Sequence, residues 1–194
     1  QRSEGSIIRQ YERAFRAYGV EVIFEDEGLR AIAEQAHEEK TGARGLMTVC
    51  ERLFRNFKYE LPATDVTMFV VNRDLAENPA DVLERLLDDP AFRQRSVGRY
   101  ILSRYGAQFL EETEIELEFQ EDAIDALCDK AVSAGDELFE VALTMFHDYE
   151  HGLSLVRRNT GKSRFVVTQE VVEDPDGVLS DWIRESYNEQ ETTS

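Results

Sequence analysis

The segment from Thr41 to Leu46 carries the residues best placed to do chemistry in this sequence. It reads Thr-Gly-Ala-Arg-Gly-Leu, so that Gly42 and Gly45 flank Arg44. An apolar periodicity typical of a helix begins at Leu46, which predicts a glycine-rich turn leading into a helix with Arg44 in its first turn. A cation at that place opposes the helix dipole, and a capping box would put Glu or Gln at this offset from Thr41.

Arg44 therefore departs from what local helix formation favours, and departures of this kind often mark functional sites. A planar guanidinium beside the free N–H groups of a helix start is suited to bind an anion, above all a phosphate. The alternative is an exposed arginine in an ordinary surface salt bridge. The spacing of these residues leaves both interpretations open.

Two further patterns look like catalytic motifs but lack the context that such motifs need. His147-Asp148-Tyr149-Glu150-His151 matches the H-x-x-E-H zinc pattern, yet no acidic helix downstream stands out as the source of a third ligand. Thr160-Gly161-Lys162-Ser163 ends like a phosphate-binding loop, but Val156 stands where the first glycine is required. We therefore predict no metal site and no catalytic residue in this chain, and a turn over residues 159–162 before a strand.

The charge balance points away from nucleic acid and from anionic membranes. The net charge is −18. Residues 1–90 contain 12 Lys and Arg against 18 Asp and Glu, and residues 91–194 contain 10 against 22. Because binding to phosphates needs a concentrated cationic patch, this composition predicts a soluble, cytoplasmic protein without nucleic-acid or membrane partners.

The cysteines and the hydropathy pattern agree with that class. Cys50 and Cys128 are the only cysteines, and both lie in apolar-periodic stretches, which favours two buried free thiols over a disulfide. No apolar run reaches the ~18–20 residues that span a bilayer, and no signal peptide is recognisable. The chain begins Gln1-Arg2-Ser3 and is expected to be part of a longer protein.

The strongest pattern in the sequence is an internal repeat. Phe24 matches Phe119 at a shift of 95 residues, and Phe69-Val70-Val71 matches Phe165-Val166-Val167 at a shift of 96. The first helical segments match as well, pairing Ile7, Ile8, Tyr11 and Phe15 with Ile101, Leu102, Tyr105 and Phe109. We predict two tandem copies of one small domain, residues 1–90 and 91–194, with the boundary near residues 90–95.

Each copy is predicted to be α+β, with several helices on a short, few-stranded sheet. In the first copy the elements are a helix over 5–18 capped by Gly19, a strand over 20–24, a helix with Asp26 as its N-terminal cap, a helix over 43–60, a strand from Val66 to Val71 and a helix opened by Pro79, after which Pro90 closes the copy. The second helix is expected to bury Leu29, Ile32, Ala33 and Ala36. The third is expected to bury Leu46, Val49, Cys50, Leu53, Phe54 and Phe57.

The motif around Arg44 resembles a known family. Lys40-Thr41-Gly42-Ala43-Arg44-Gly45-Leu46, followed a helix later by Tyr59-Glu60-Leu61-Pro62, is similar to the C-terminal small domain, or lid, of the ClpX family of AAA+ protein unfoldases. The lead-in from Tyr11 through Phe15 and Gly19-Val20-Glu21-Val22 to Phe24 resembles the same domain. The likeness covers roughly residues 3–75.

The resemblance implies a role for this motif in nucleotide sensing. In that family the motif arginine, called sensor 2, reaches the phosphates of ATP bound between a large and a small domain, and so couples hydrolysis to lid rotation. The matching residue is Arg44, with Gly42 and Gly45 as the motif backbone. The resemblance also implies ATP with Mg²⁺, an upstream AAA+ large domain that holds the phosphate loop and the catalytic groups, neighbouring ring subunits, protein substrates and a Clp-type peptidase. The chain by itself would then not be catalytic.

The sequence departs from the family pattern in two ways. Met47 stands where the family usually has a basic residue, and the family has no second lid copy. In the second copy Gly135 to Phe139 aligns with Gly42 to Leu46, which places Glu137 in a first helical turn opposite Arg44. We therefore predict that the first copy senses nucleotide and that the second is a structural or partner-binding derivative.

A different class of function is also compatible with these residues. The duplicated lid fold could serve as a non-catalytic interaction or oligomerisation module, with the acidic second copy as its contact surface. A metal hydrolase built on His147 and His151 is a third and weaker interpretation.

Overall fold

The structure is a computed structural model, which describes residues 2–39 and 43–193. The chain divides into two compact units, the first ending at Val97 and the second beginning at Gly98. No helix in the part that the structure describes is long and apolar enough to cross a membrane.

The first unit consists of short helices around a two-stranded sheet. Its elements are α1 (Arg2–Arg16), β1 (Glu21–Phe24), α2 (Asp26–Glu38), α3 (Ala43–Glu60), a 3₁₀ turn (Leu61–Ala63), β2 (Met68–Val71), α4 (Arg73–Glu77), α5 (Pro79–Asp88) and the start of α6 (Pro90–Thr113). The two strands are parallel, with Glu21 opposite Met68 and Phe24 opposite Val71. Their connection runs through α2 and α3, as parallel pairing requires a long crossover.

The second unit has the same order of helices and strands, except that two helices, α8 and α9, stand in the place of α3. After α6 come β3 (Glu116–Phe119), α7 (Glu121–Ala134), α8 (Leu138–Met145), α9 (Tyr149–Thr160), β4 (Arg164–Val167), α10 (Gln169–Glu173) and α11 (Pro175–Thr193). Strands β3 and β4 are again parallel, with Glu116 opposite Arg164. Helices with two small parallel sheets confirm the predicted α+β class.

The core of the first unit is an aromatic cluster centred on Phe54. Its ring lies 5.0 Å from that of Tyr11 and 5.8 Å from those of Phe15 and Phe24, measured between ring centroids. These rings come from α1, β1 and α3, so that one side chain ties three elements together. All six residues predicted to form the inner face of α3 are buried: Leu46, Val49, Cys50, Leu53, Phe54 and Phe57.

Glycines in the left-handed region end three of the described helices, α1, α7 and α9. Gly19 has φ +78°, the Val20 amide donates to the Phe15 carbonyl at 3.1 Å, and the Gly19 amide donates to the Arg16 carbonyl at 3.0 Å. This is the double hydrogen bond of a Schellman cap, and it confirms the predicted role of Gly19. Gly135 ends α7 in the same way, with φ +74°.

Several details of the sequence-based elements are wrong, among them the predicted turn over 159–162, since Asn159 and Thr160 belong to α9. Asp26 is the first residue of α2 and Glu25 precedes it as the cap. On α2, Leu29 is half-buried and Ala33 is exposed, while Gly28 and Ala31 are buried instead, because the helix is turned so that Gly28 meets the sheet. Strand β2 begins at Met68 rather than at Val66.

Pro79 and Pro90 both open helices, and both cysteines lie in the interior. Pro79 is the first residue of α5, as predicted, whereas Pro90 begins the 24-residue helix α6. Cys50 and Cys128 are buried and form no disulfide in the described part of the chain, which confirms the interpretation of the two thiols.

Candidate anion-binding turn

Arg44 is the second residue of α3, at the end of the helix where backbone N–H groups lack intrahelical acceptors. The first turn of α3 contains no acidic residue. The Thr48 hydroxyl donates to the Arg44 carbonyl at 3.0 Å, one turn further on. The sequence-based expectation that Arg44 lies in the first turn of this helix is therefore confirmed.

The Arg44 side chain points into solvent while its neighbours anchor the turn. Gly45 and Leu46 are buried, whereas Arg44 is exposed. Within the described part of the chain the Arg44 guanidinium has no ion pair. Two turns along the same helix, by contrast, the Arg52 guanidinium bonds to Glu39 at 3.2 Å and to the Gln35 side-chain oxygen at 3.3 Å. Arg44 is thus not the ordinary surface salt bridge that the sequence left open, at least among the described residues.

Gly42, the other predicted motif residue, lies outside the described residues together with Lys40 and Thr41. Gly45 lies inside α3 and is buried. The structure therefore brings together a cation that no described acid neutralises and a helix start whose first turn contains no acid. That combination can meet an anion approaching from solvent, because charge and hydrogen-bond donors act in the same direction.

The aromatic cluster of the second unit indicates which of its residues correspond to the turn around Arg44. Phe146 lies 6.0 Å from Tyr105 and 5.8 Å from Phe119, as Phe54 lies 5.0 Å from Tyr11 and 5.8 Å from Phe24. Phe146 thus takes the place of Phe54, a shift of 92 residues.

That register differs by one position from the alignment made from sequence. A shift of 92 residues pairs Leu138 with Leu46 and Asp136 with Arg44, whereas the sequence alignment pairs Glu137 with Arg44. Glu137 is also not in a first helical turn, since it is the residue that precedes α8. Asp136 and Glu137 are both acids, and that the second unit has an acid where the first has Arg44 stays a prediction.

The H-x-x-E-H segment falls on a break in the helix. Helix α3 is continuous from Ala43 to Glu60, but its counterpart is split into α8 and α9 by a turn at residues 146–148. His147 lies in that turn and His151 lies in α9, both exposed. The described residues contain no group of three or more His, Cys, Asp or Glu side chains that could hold a metal ion.

The Gly-Lys-Ser segment lies in a helix-to-strand turn. Thr160 is the last residue of α9, Gly161 has φ +78°, and β4 begins at Arg164. A phosphate-binding loop runs in the opposite order, from a strand to a helix. The Lys162 ammonium lies 4.9 Å from the centre of the Phe165 ring, which gives this lysine a packing partner inside the unit.

Comparison with known proteins relates part of the chain to one family. The chain is 38% identical over 76 residues to a protein of Borrelia duttonii named ATP-dependent Clp protease ATP-binding subunit ClpX, a match that covers 39% of this chain and 18% of that protein. A ClpX protein of Methylococcus capsulatus is 37% identical over 78 residues, which is 40% of this chain and 18% of that protein. ClpX of Azotobacter vinelandii is 33% identical over 92 residues, which is 45% of this chain and 21% of that protein.

These matches relate less than half of this chain to a small part of each ClpX protein. The chain spans about a fifth of the length of the curated relatives it matches. No protein-family model matches the chain, and no solved structure matches it significantly. A region of this chain is therefore related to ClpX proteins, which are named as ATP-binding subunits of the ATP-dependent Clp protease.

Proposed function

We propose that the first unit is the nucleotide-sensing lid of a Clp-type AAA+ ATPase and that Arg44 is its sensor 2 residue. The observation that carries the proposal is the exposed Arg44 guanidinium, unpaired among the described residues, at an acid-free helix start. The relationship of part of the chain to ClpX supports it, since those relatives are named as ATP-binding subunits of a protease. Gly42 would let the backbone approach the phosphates closely, and Gly45, which is buried in α3, would belong to the motif as part of the packed helix start.

The packing of α3 explains how a contact at Arg44 could move the whole unit. Two residues after Arg44 the helix enters the core through Leu46, and it continues inward through Val49 and Cys50, which are fully buried. Phe54 then joins α3 to α1 and β1. Because interiors are close-packed, a force on the first turn displaces these elements together rather than bending the helix. Loss of a phosphate contact would then release the unit as a rigid body.

The remaining parts of such an ATPase are proposed to lie outside this chain. ATP with Mg²⁺ would be held mainly by an upstream large domain carrying the phosphate loop, the Mg²⁺-binding acid and the catalytic glutamate. This chain would contribute the Arg44 cation, which is suited to phosphate oxygens. Neighbouring ring subunits, protein substrates, a Clp-type peptidase and a cytoplasmic location belong to the same proposal.

We further propose that the second unit is a diverged duplicate of the lid, with copies at residues 1–90 and 91–194. The shared element order, the two parallel strand pairs and the equivalent places of Phe54 and Phe146 support duplication. Asp136 in place of Arg44 would repel a phosphate. The second copy is therefore assigned a structural or partner-binding role.

The competing function is a non-catalytic interaction or oligomerisation module made from the same duplicated fold. The strong acidity of the second unit favours it, because residues 98–194 contain 22 Asp and Glu against 8 Lys and Arg. The two functions differ in whether the reading frame upstream of Gln1 encodes a strand followed by G-x-x-x-x-G-K-[ST]. Presence of that motif supports the sensor lid, and a frame that starts near Gln1 supports the module.

The decisive variant is Arg44→Ala in the full-length protein. We expect ATP hydrolysis and ATP-driven unfolding of a tagged protein substrate to fall at least about tenfold, since an interaction with a charged group is worth about 1.5–3 kcal/mol. Arg55→Ala is the matched control. Arg55 lies on the same helix, is exposed and has no ion pair among the described residues. Equal effects of the two substitutions would contradict the assignment of Arg44.

A further inference from the structure

We propose that α1 carries a docking surface for the second unit of another copy of this chain. The surface is formed by Arg9, Arg13 and Arg16, which we call the arginine face. Its complement is an acidic corner formed by Asp136, Glu137 and Glu140 at the connection between α7 and α8. Docking at this face does not depend on nucleotide binding at Arg44.

The arginine face lies on the side of α1 that is turned away from the core. Residues 9, 13 and 16 are spaced by four and three positions, which places them on one stripe of a helix, about 10 Å long at 1.5 Å per residue. All three are exposed. The opposite stripe, formed by Ile7, Tyr11 and Phe15, is buried against the core.

The three arginines have no ion pair among the described residues, although acids are plentiful in this chain. Arg73 shows the usual outcome: its guanidinium lies 2.9 Å from Glu77, 3.3 Å from Glu34 and 3.5 Å from Glu27. Like charges four residues apart weaken a helix by about 0.2–0.5 kcal/mol. Arg13 and Arg16 lie in the last turn of α1, where the helix dipole favours cations and offsets this repulsion. The arginine face is therefore tolerated by α1, but no described acid of the chain pairs with it.

The fold itself does not require these cations. In the second unit the helix equivalent to α1 is the C-terminal part of α6, where Tyr105 takes the place of Tyr11 at a shift of 94 residues. The same shift places Ser103, Ala107 and Leu110 opposite the arginine face, all exposed and none charged. A helix of this kind thus packs equally well without the stripe.

The distribution of charge between the two units indicates which surface binds the arginine face. Residues 1–97 contain 14 Lys and Arg against 18 Asp and Glu, a net of −4, whereas residues 98–194 have a net of −14. Asp136, Glu137 and Glu140 fall within five positions, are exposed and have no ion pair among the described residues. Electrostatic complementarity of this kind steers association and sets register. The contact uses two different surfaces, so that it is heterologous and closes into a ring or extends as a chain.

The first test measures the mass of the 194-residue chain by light scattering after gel filtration at two salt concentrations. At about 0.1 M salt, where the Debye length is about 10 Å, we expect a mass above the 22.3 kDa of one chain, and at about 1 M salt a return to one chain. A wild-type chain that stays monomeric at about 0.1 M salt and high concentration would overturn the proposal.

Charge reversal then identifies the surfaces. The triple variant Arg9→Glu, Arg13→Glu, Arg16→Glu should associate at least about tenfold more weakly, as should Asp136→Lys, Glu137→Lys, Glu140→Lys, since close charge pairs couple strongly. The control Arg55→Glu, Arg104→Glu, Arg158→Glu makes the same change in net charge at three exposed arginines and should keep the association. Circular dichroism checks that each variant is folded.

The two reversed variants provide the decisive mixture. In the mixture the unchanged arginine face of one variant can meet the unchanged acidic corner of the other, and the two reversed surfaces also carry opposite charges, so that the mixture should form a complex that neither variant forms alone. Failure of the mixture to associate, or an equal loss in the control variant, would show that the arginine face does not bind the acidic corner.

Discussion

Gly28, in the first turn of α2, lies directly against the carbonyl of Val71 at the end of β2. A Cβ atom at Gly28 would lie 2.7 Å from the Val71 carbonyl carbon and closer still to its oxygen. The Glu25 amide donates to the same carbonyl at 3.1 Å, so that the helix begins where the strand ends. This backbone contact sets the rotation of α2 and explains why Gly28 and Ala31, rather than Leu29 and Ala33, face the core.

Gly28→Ala is therefore expected to destabilise the chain. Alanine gains about 1 kcal/mol over glycine in a helix interior, but overpacking against fixed backbone costs about 1–3 kcal/mol or more, and 2.7 Å between carbon atoms is far inside a normal contact. We expect a lower free energy of unfolding by urea, with a net loss of about 1–2 kcal/mol. Gly5→Ala on α1 is the control, since its nearest neighbour would be the flexible end of Arg9 at 3.7 Å, and it should not destabilise. A stabilising Gly28→Ala would contradict this packing.

Replacing Arg44 by an acid should improve stability while it destroys the proposed site. Arg44→Glu exchanges an unfavourable charge at the start of α3 for a favourable one, worth about 0.3–1 kcal/mol. Thermal unfolding followed by circular dichroism at low salt measures the gain. Arg55→Glu, in the C-terminal half of α3 where a cation is favoured, should give no gain. A clear loss of stability in Arg44→Glu would show that Arg44 supports the fold.

Phe146→Ala should unfold the second unit at lower denaturant. The Phe146 ring lies 5.0 Å from that of Tyr149, which lies 6.3 Å from the ring of Trp182. Removing a buried phenylalanine costs about 3–5 kcal/mol. Trp182 is the only tryptophan, so that its fluorescence reports this unit during urea unfolding. Leu143→Ala, at a half-exposed position of α8, is the control and should shift the midpoint much less; equal shifts would argue against a core role of Phe146.

Stability should decrease at alkaline pH. Burial raises the pKa of Tyr11 to about 12 from 10.0, and the pKa of Cys50 to about 11 from 9.0. Above about pH 9 the unfolded chain releases protons that the folded chain retains, so that the stability these two groups contribute is fully present below that pH and is lost as the pH rises towards about 12. Urea midpoints measured at about pH 8, about pH 10 and about pH 11 test this expectation.

Tyr11→Phe separates this effect from general repulsion between carboxylates. The variant lacks one of the raised pKa values, so that its stability should fall less between about pH 8 and about pH 11 than that of the wild type. Tyr59→Phe is the control, because the Tyr59 side chain is 86% exposed and should not alter the slope. Identical pH profiles for Tyr11→Phe and the wild type would mean that the Tyr11 proton does not contribute.

The sequence predicted best where one local rule acts alone. The inner face of α3 follows from a helical period kept over most of its length, and the end of α1 follows from Gly19, because only glycine takes a positive φ without strain. Pro79 begins α5 because its missing N–H costs nothing at a helix start. Each of these features depends on residues close together in the chain.

The predictions from sequence are wrong where contacts between residues far apart in the chain determine the structure. Periodicity assigned α2 the wrong inner face, because Gly28 approaches a carbonyl 43 positions away in the chain. The split between α8 and α9 was not foreseen, since no proline marks it. The stripe of Arg9, Arg13 and Arg16 was overlooked, although its spacing by four and three positions was visible in the sequence.

By itself the sequence determined the α+β class, the start of α3 just before Arg44, and the similarity of the two halves, because periodicity, caps and strand composition are local properties. Only the tertiary structure decided which arginines form ion pairs. Arg52 on α3 pairs with Glu39, which follows α2, whereas Arg44 pairs with no described acid. The tertiary structure also decided that Glu137 precedes α8 instead of lying in its first turn. Where that helix begins depends on which side chains pack into the core of the second unit, and those contacts join residues far apart in the chain.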